Sequence, residues 1–348
     1  MIWLTWRQFR TQAAPAAAAL AAFAILLAAT GPHLASLYAA SGLSSCHGGS
    51  CQNLAGYFDY QLTAGGYQPL YLVSVGIILL APAVIGLFWG APLIARELET
   101  GTSAVAWNQS VTRTRWLAVK LTVIGLAAMA VTEGLSLMQA WWAAPLGRAV
   151  GDGAPAGPLT QGRFTQLIFA SHGITPLGYA AFAFTLGVTA GALIRRTIPA
   201  MAVTLAIFTA LQVAMPLWIR PHFVPPHHTA ISIASPGYLA GQPGPGGGTF
   251  TFVATSLPGQ PGAWILSSGP VNAAGQPVST TPAACVTASI EGYSAFTDCL
   301  ASHGIREAVT YQPASRYWPF QWTETAIYLA LALALAGYCF RRLNRRLS

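Results

Sequence analysis

Six long runs of apolar residues are separated along the chain by more polar segments. The runs cover residues 13–37, 68–94, 116–142, 166–194, 197–219 and 319–340. An α-helix rises about 1.5 Å per residue, so roughly 20 apolar residues cross a hydrocarbon core about 30 Å thick, and each run is long enough. The pattern therefore predicts an all-α membrane protein with six transmembrane helices.

The segment between the fifth and sixth runs, residues 220–318, has a different pattern. It is rich in Gly and Pro, as in residues 241–248, and these residues disfavour long helices. Short alternating stretches predict strands at 249–256 and 263–267, and residues 294–303 are typical of a short helix. We therefore expect a small mixed α/β domain between helices five and six.

Composition agrees with a membrane protein and excludes an ordinary soluble enzyme. The chain has 348 residues, of which 54% are hydrophobic and 7% charged, whereas soluble domains are about 25% charged. The formal net charge of +8 could indicate nucleic-acid binding. However, most of the basic residues lie beside apolar runs, which indicates membrane topology instead, and we expect no nucleic-acid partner.

Arginine placement predicts the orientation in the membrane. Eleven arginines lie in the N-terminal segment, the 95–115 loop, the 195–196 turn and the C-terminal tail, whereas the three other loops contain five. Positively charged loops stay on the cytoplasmic side. We therefore expect a multi-pass protein of the cell (plasma) membrane with both termini in the cytoplasm and the domain after helix five outside the cell.

These observations divide the chain into four parts. An amphipathic N-terminal helix that lies along the membrane surface is followed by helices one to five, the extracellular domain, and helix six with a basic tail. The predicted boundaries are 1–12, 13–219, 220–318 and 319–348.

The cysteines fit this topology. Cys46 and Cys51 lie in the first outer loop, Cys285 and Cys299 lie in the extracellular domain, and Cys339 lies near the cytoplasmic end of helix six. An oxidising exterior permits disulfides. Proximity in the sequence favours pairing Cys46 with Cys51 and Cys285 with Cys299, although four cysteines allow three connectivities.

Catalytic motifs are absent from the sequence. The single lysine, Lys120, does not follow a Gly-rich turn, so the chain has no P-loop for nucleotide hydrolysis. His222, His227 and His228 could bind a metal, but they lie in a proline-rich string without fixed spacing, and we predict no metal site. We expect a protein that is not an enzyme and that contains no cofactor of its own.

Two polar residues lie inside predicted helices. Glu133 falls in helix three and His172 near the outer end of helix four. A carboxylate near the middle of a bilayer costs about 2.5–3.5 kcal/mol, so Glu133 needs a polar cavity, a partner or a proton. The two residues form either a candidate polar site on a substrate path or a hydrogen bond that packs helices, and the second is favoured.

Small residues recur at a spacing of four in two helices. Gly86 and Gly90 lie in helix two, and Gly187 and Gly191 lie in helix four. Such patterns allow helices to approach closely, but they do not identify the neighbouring helix.

The cytoplasmic loop from Ala95 to Lys120 carries acidic residues at its start and basic residues at its end. A short helix with this charge order suits docking to another protein. The residues that define the pattern are Glu97, Glu99, Gly101, Thr102, Arg113 and Arg115. Their order resembles the coupling helix of membrane (permease) subunits of type 2 ABC exporters, although Ser110 stands where many such subunits have Pro. The string YQPASRYWPFQWTET, residues 311–325, is similar to the one before the last helix in an actinobacterial group of these permeases.

The resemblance implies the permease subunit of an ATP-binding-cassette exporter. The chain would form the translocation pathway for a hydrophobic or amphipathic substrate taken from membrane lipid. Its partners would be a separate ATPase subunit, which binds ATP and Mg, and a second permease copy or a related permease. The alternative is an ATP-independent membrane sensor or scaffold whose extracellular domain binds a ligand or partner, and a third possibility is an intramembrane enzyme that uses Glu133 and His172.

Overall fold

A computed structural model of the chain describes residues 2–45, 51–99, 113–151, 162–235, 238–244 and 248–345. Within these ranges, six helical segments are long and apolar enough to cross a membrane. We number these spans one to six: Ala13–Ser45, Tyr67–Arg96, Thr114–Trp142, Thr175–Ile194, Thr197–His222 and Ala314–Arg342. The predicted number of membrane helices is confirmed.

The helices of the described part are α1 Ile2–Ala40, α2 Cys51–Ala64, α3 Tyr67–Ile85, α4 Ala91–Glu99, α5 Arg113–Trp142, α6 Ala144–Gly151, α7 Gln166–Ser171, α8 Thr175–Ile194, α9 Thr197–Ala214, α10 Ala288–Glu291, α11 Tyr293–Ser302 and α12 Tyr317–Arg345. Single turns of π-helix at Gly86–Gly90 and Met215–Ile219 interrupt spans two and five.

Helix α1 runs without a break from Ile2 to Ala40. The expected separate helix over residues 1–12 is therefore continuous with span one in the structure. Its placement along a membrane surface stays a prediction.

Span four is the central helix of the bundle. In its apolar stretch 72% of the residues are buried, against 44% or less in the other spans. Small residues make up much of α8, so its neighbours α3, α4, α5, α9 and α12 all pack directly against it. Spans two, three, five and six surround this helix, span one packs against span three, and apolar side chains remain on the outside of the bundle.

The two glycine patterns predicted from the sequence contact each other. A methyl group added at Gly86 would lie 2.7 Å from the carbonyl oxygen of Ala183, and one added at Gly187 would lie 2.7 Å from the amide nitrogen of Ala91. Real side-chain carbons do not approach this closely, so glycine is required at both positions. Spans two and four therefore pack backbone to backbone at this crossing.

Span four begins differently from the prediction. The apolar run 166–194 was expected to form one helix, but α7 ends at Ser171 and α8 starts at Thr175. His172 has extended backbone angles, and Gly173 has a positive φ of 72°. The mean hydropathy of the run does not reveal this break, although Gly173 and Pro176 lie within the run and such residues mark turns and helix starts.

A small domain of strands and short helices lies between spans five and six, and we call residues 227–312 the sheet domain. Its strands are β1 His227–Ser232, β2 Leu239–Pro243, β3 Phe250–Ala254, β4 Trp264–Val271 and β5 Arg306–Gln312. In the described residues, β1, β5 and β4 form an antiparallel sheet in that order, and β2 pairs with β3. The two predicted strands and the predicted helix correspond to β3, β4 and α11.

The pairing of β1 with β5 brings spans five and six together. Strand β1 follows span five and β5 precedes span six, and their register places His227 opposite Tyr311. The side-chain amide of Gln312 donates to the carbonyl oxygen of Val224 at 2.8 Å, and the Arg316 guanidinium donates to that of Pro225 at 2.7 Å. These bonds fix the ends of both spans at the base of the sheet domain.

The core of the sheet domain contains the predicted disulfide. Cys285 and Cys299 are bonded, with their Cα atoms 5.7 Å apart. Phe250, Phe296 and Leu300 pack in the same core. The second predicted pair lies outside the described residues, since residue 46 and the side chain of residue 51 are not described. Cys339 is a free, buried thiol.

One acidic residue, Glu307, is buried in the sheet domain. It lies on β5 opposite Ile231 and Pro270, it is fully buried, and neither carboxyl oxygen has a hydrogen-bond partner among the described residues. Burial raises the pKa of Glu307 to about 7, and the nearby hydroxyl of Ser268 opposes the shift only in part. The folded domain therefore holds a proton on this carboxyl at pH values where the unfolded chain does not.

We predict that Gly187→Ala destabilises the bundle. The added methyl group would collide with the backbone of span two, and overpacking of this kind costs about 1–3 kcal/mol. The midpoint of thermal unfolding of the purified chain in detergent should fall. Gly76→Ala is the matched control, because nothing lies within 4 Å of a methyl group at that position of span two. Equal midpoints for the two variants would contradict backbone contact between spans two and four.

A second prediction concerns Glu307 and pH. An acid whose pKa is raised in the folded state makes the fold less stable as pH rises from the unfolded pKa to the folded pKa, here from about 4.5 to about 7. The full chain should lose about 1–3 kcal/mol of stability across this interval. Thermal unfolding at a series of pH values measures this loss. Glu307→Gln should remove this slope, and an unchanged slope in the variant would assign it to other groups.

Candidate functional site

A buried ion pair joins spans five and six at the base of the sheet domain. Nε of Arg220 donates to Oε2 of Glu324 at 2.7 Å, and Nη2 donates to Oε1 at 3.0 Å. The side chains are 1% and 0% exposed. Arg220 follows the π-helical turn Met215–Ile219, and Glu324 lies two turns into α12, so each residue reaches the other from the domain end of its span.

Aromatic residues surround the pair. The hydroxyl of Tyr179 in span four donates to Oε1 of Glu324 at 2.5 Å, and the Arg220 guanidinium stacks on the ring of Phe169 at 4.0 Å. The ring of Tyr328 packs edge-on against Tyr179. The carboxylate therefore accepts three hydrogen bonds, and the cluster connects three spans.

One atom of the cluster has no partner. Nη1 of Arg220 is buried and makes no hydrogen bond to any described residue. A buried donor without an acceptor is costly, so a hydrogen bond from this atom to a polar group would be favourable.

Arg220 also lines a cavity of about 380 Å³ on the side of the bundle. Its walls come from spans two, four and five and from α7, and they are mainly apolar. The lining residues include Leu79, Leu80, Leu167, Tyr179, Leu205, Phe208, Thr209, Gln212, Val213, Leu217 and Arg220. Tyr179, Phe208 and Arg220 are buried, whereas Leu80, Leu205 and Leu217 are exposed. The cavity therefore has a closed polar end and an open apolar rim.

A second cavity of about 430 Å³ lies between spans two, three and six, α6 and the segment 163–173 that contains α7. Arg148, Arg163 and His172 line it, and both arginines are exposed. The guanidinium of Arg148 lies over the ring of Tyr38 at 5.1 Å. This cavity presents its cations to solvent rather than to a closed apolar space.

Gln321 stabilises the break in span four. Its Oε1 accepts from the backbone N–H groups of Ile174 and Thr175, both at 3.1 Å, and its Nε2 donates to the carbonyl oxygens of Phe169 and His172 at 3.0 and 3.1 Å. A broken helix leaves backbone groups unpaired, and a single amide from span six satisfies four of them.

The two predicted intramembrane residues are not joined to each other. Oε2 of Glu133 is buried without a hydrogen-bond partner in the described part of the chain, so the favoured helix-packing bond is not formed at this atom. Nδ1 of His172 lies 3.0 Å from both the Ser171 hydroxyl and the Ile168 carbonyl oxygen, within its own segment. Whether either residue serves transport stays a prediction.

At the opposite end of the bundle, Glu99 contacts the start of span five. Its Oε1 accepts from the backbone N–H of Thr197 at 3.0 Å, and its Oε2 accepts from the Thr197 hydroxyl at 2.6 Å. These two hydrogen bonds lower the pKa of Glu99, with a smaller contribution from Arg196. Glu99 therefore caps α9 and connects the end of α4 to the turn between spans four and five.

The comparison with known proteins adds a family assignment. Residues 17–220, more than half of the chain, match the family described as ABC-2 membrane transporter related. This chain belongs to that family. No curated protein and no solved structure matches it.

Family membership and six apolar spans make the ABC-2-related chain a multi-pass membrane subunit of a transporter. The match confirms the resemblance to ABC-2 permeases drawn from the sequence. The match ends at Arg220, and the sheet domain begins at His227, so the ion pair joins the last matched residue to span six.

The structure describes the predicted coupling residues only in part, and the described ones lie at the opposite end of the bundle from the cavity. Glu97 and Glu99 lie in the last turn of α4, and Arg113 is the first residue of α5. The side chains of Glu97 and Arg113 are not described. Arg115 is exposed. Gly101 and Thr102 lie outside the described residues.

The three histidines that were considered as metal ligands each contact a different group. His222 donates to the Trp218 carbonyl oxygen at 2.7 Å, Arg316 donates to Nε2 of His227 at 3.0 Å, and His228 lies 3.1 Å from the Thr310 hydroxyl. His303 does lie beside Cys285 and Cys299. However, the sulfur atoms are bonded to each other, so they are not available as thiolates.

Sequence reasoning missed Arg220, Glu324 and Tyr179. Arg220 was counted as an outer-loop charge, and Glu324 was treated as part of an apolar run. A signal was present, because opposite charges lie at those ends of spans five and six that adjoin the sheet domain. Recognising it required the β1–β5 pairing, which joins positions about 80 residues apart.

We predict that removing one partner of the ion pair destabilises the chain strongly, whereas replacing both partners by apolar residues does not. Glu324→Leu leaves a buried, uncompensated guanidinium and should destabilise the chain by about 3–5 kcal/mol. Arg220→Met combined with Glu324→Leu should recover most of this loss, because apolar side chains of similar size can replace a buried pair. Thermal unfolding of the parent chain, Glu324→Leu, Arg220→Met and the double variant measures the coupling. Additive effects of the two substitutions would contradict a direct interaction.

Proposed function

We propose that the chain is the permease subunit of an ATP-binding-cassette exporter. It forms the translocation pathway for a hydrophobic or amphipathic substrate, and a separate ATPase subunit supplies the energy. Membership in the ABC-2-related family, six spans and a cavity with an apolar rim support this proposal. ATP and Mg would bind to the partner, since the sequence of this chain contains no P-loop.

The contact between Glu99 and Thr197 is the observation that favours ATP-driven coupling. It links α4, which leads into the predicted coupling loop, to the first turn of span five. Span five in turn contributes Leu205, Phe208 and Arg220 to the cavity. A displacement applied to the loop by an ATPase would therefore reach the cavity wall through one helix and its cap.

The proposed orientation places both termini and the Glu99 contact in the cytoplasm and the sheet domain outside the cell. Arginine placement supports this orientation. A second copy of the chain or a related permease would complete the pathway, and the outward-facing apolar side chains of spans one, three and five are available for that contact.

The proposal predicts that an ATPase subunit copurifies with the chain from membranes of its native host. Glu97→Arg with Arg115→Glu should abolish copurification and ATP-driven transport, because charge reversal disrupts interfacial ion pairs. Arg341→Glu is the matched control, since this exposed arginine lies in the tail rather than the loop. All variants should insert into the membrane normally.

Thr197→Val tests the coupling step separately. It removes the hydroxyl bond to Glu99 and keeps the backbone bond, so the ATPase subunit should still copurify while substrate-stimulated ATP hydrolysis falls. A chain without any copurifying ATPase would favour the sensor or scaffold, and loop variants that transport at the parental rate would contradict the coupling assignment.

A further inference from the structure

The cavity beside Arg220 opens where lipid would surround the bundle. Its rim residues Leu80, Leu205, Val213 and Leu217 are 44–64% exposed, and all of them belong to spans two and five. A molecule could therefore enter sideways from the hydrocarbon layer without crossing water. The volume of about 380 Å³ falls in the range of small-molecule sites.

The closed end of the cavity offers hydrogen-bond donors. The Arg220 guanidinium uses Nε and Nη2 for Glu324, which leaves Nη1 without an acceptor. Gln212 uses its Oε1 to accept from Tyr328 at 3.0 Å, which leaves its amide NH₂ as a donor. An occupant therefore needs an acceptor, such as a carbonyl oxygen, at this end.

Charge selects between possible headgroups. Glu324 already neutralises Arg220 through two hydrogen bonds, and Tyr179 adds no charge. An anionic headgroup would place a second negative charge next to the same guanidinium in a poorly solvated space, which is unfavourable. An uncharged ester or amide carbonyl can accept the free Nη1 hydrogen without that cost.

We propose that this cavity binds an uncharged amphipathic lipid, whose carbonyl oxygen accepts a hydrogen bond from Arg220 and whose acyl chain lies against Leu80, Leu205 and Leu217. This inference rests on the proposed function in one respect: if the chain is a permease, the bound lipid represents the class of substrate that it transports. The binding step itself requires neither ATP nor a partner.

Binding of monooleoylglycerol to the purified full-length chain tests the proposal. The chain is kept in a maltoside detergent, which has no carbonyl group, and binding is followed by native mass spectrometry. Oleate at alkaline pH has the same acyl chain with an ionised head. We expect saturable binding of monooleoylglycerol and about tenfold weaker binding of oleate, and equal binding of the two would overturn the proposal.

Two substitutions on one helix locate the site. Leu205→Trp fills the cavity and should abolish saturable binding, whereas Ile207→Trp lies outside the lining and should leave it unchanged. The two positions are matched, since they are 44% and 41% exposed in span five. Equal effects of the two variants would place the lipid elsewhere.

A third variant tests the donor. Arg220→Met with Glu324→Leu should weaken monooleoylglycerol binding about tenfold, the effect of one hydrogen bond to a charged group. Parental affinity in this variant would show that Arg220 does not hold the headgroup. The lipid-binding assay contains no ATPase subunit. A failure to bind lipid would therefore not contradict the proposed ATPase partner, and a failure of copurification would not contradict the proposed lipid site.

Discussion

The buried pair of Arg220 and Glu324 is the interaction on which the arrangement of spans five and six depends. Two charges removed from water are stable only while they stay paired with each other, so the ends of both spans must stay in register. The β1–β5 pairing of the sheet domain also holds the ends of spans five and six next to each other. A single salt bridge, the tyrosine at its edge and one strand pair thus hold the domain end of the bundle together.

The centre of the bundle depends on a second interaction, which is close backbone contact between helices. Gly86 and Gly187 let spans two and four touch, and the broken start of span four is completed by the amide of Gln321 from span six. Span four is therefore held on one side by packing and on the other by hydrogen bonds. Span five, in contrast, has a largely exposed surface, which suits an element that moves.

Much of this fold could be predicted from the sequence, because the relevant signals are local. Apolar runs define the spans, glycine spacing indicates a close crossing, and alternating residues define β3 and β4. Partners that are distant in the chain could not be predicted: the break at His172 depends on Gln321, the role of Glu99 depends on Thr197, and the ion pair depends on strand pairing. Each of these needs knowledge of which helices are neighbours, and hydropathy carries no such information.

Spans five and six are fixed to each other at the domain end by the ion pair, and span five is connected at its other end, through Glu99, to the proposed coupling loop. The most direct test of this account is a pair of spin-label distances in the complex with the ATPase. One pair replaces Trp218 and Trp322 near the ion pair, and the other replaces Ile198 and Tyr338 at the opposite end, all of them exposed. On ATP binding, the account predicts a changed distance between residues 198 and 338 and a constant distance between residues 218 and 322. A change confined to the domain end, or no change at either end, would contradict it.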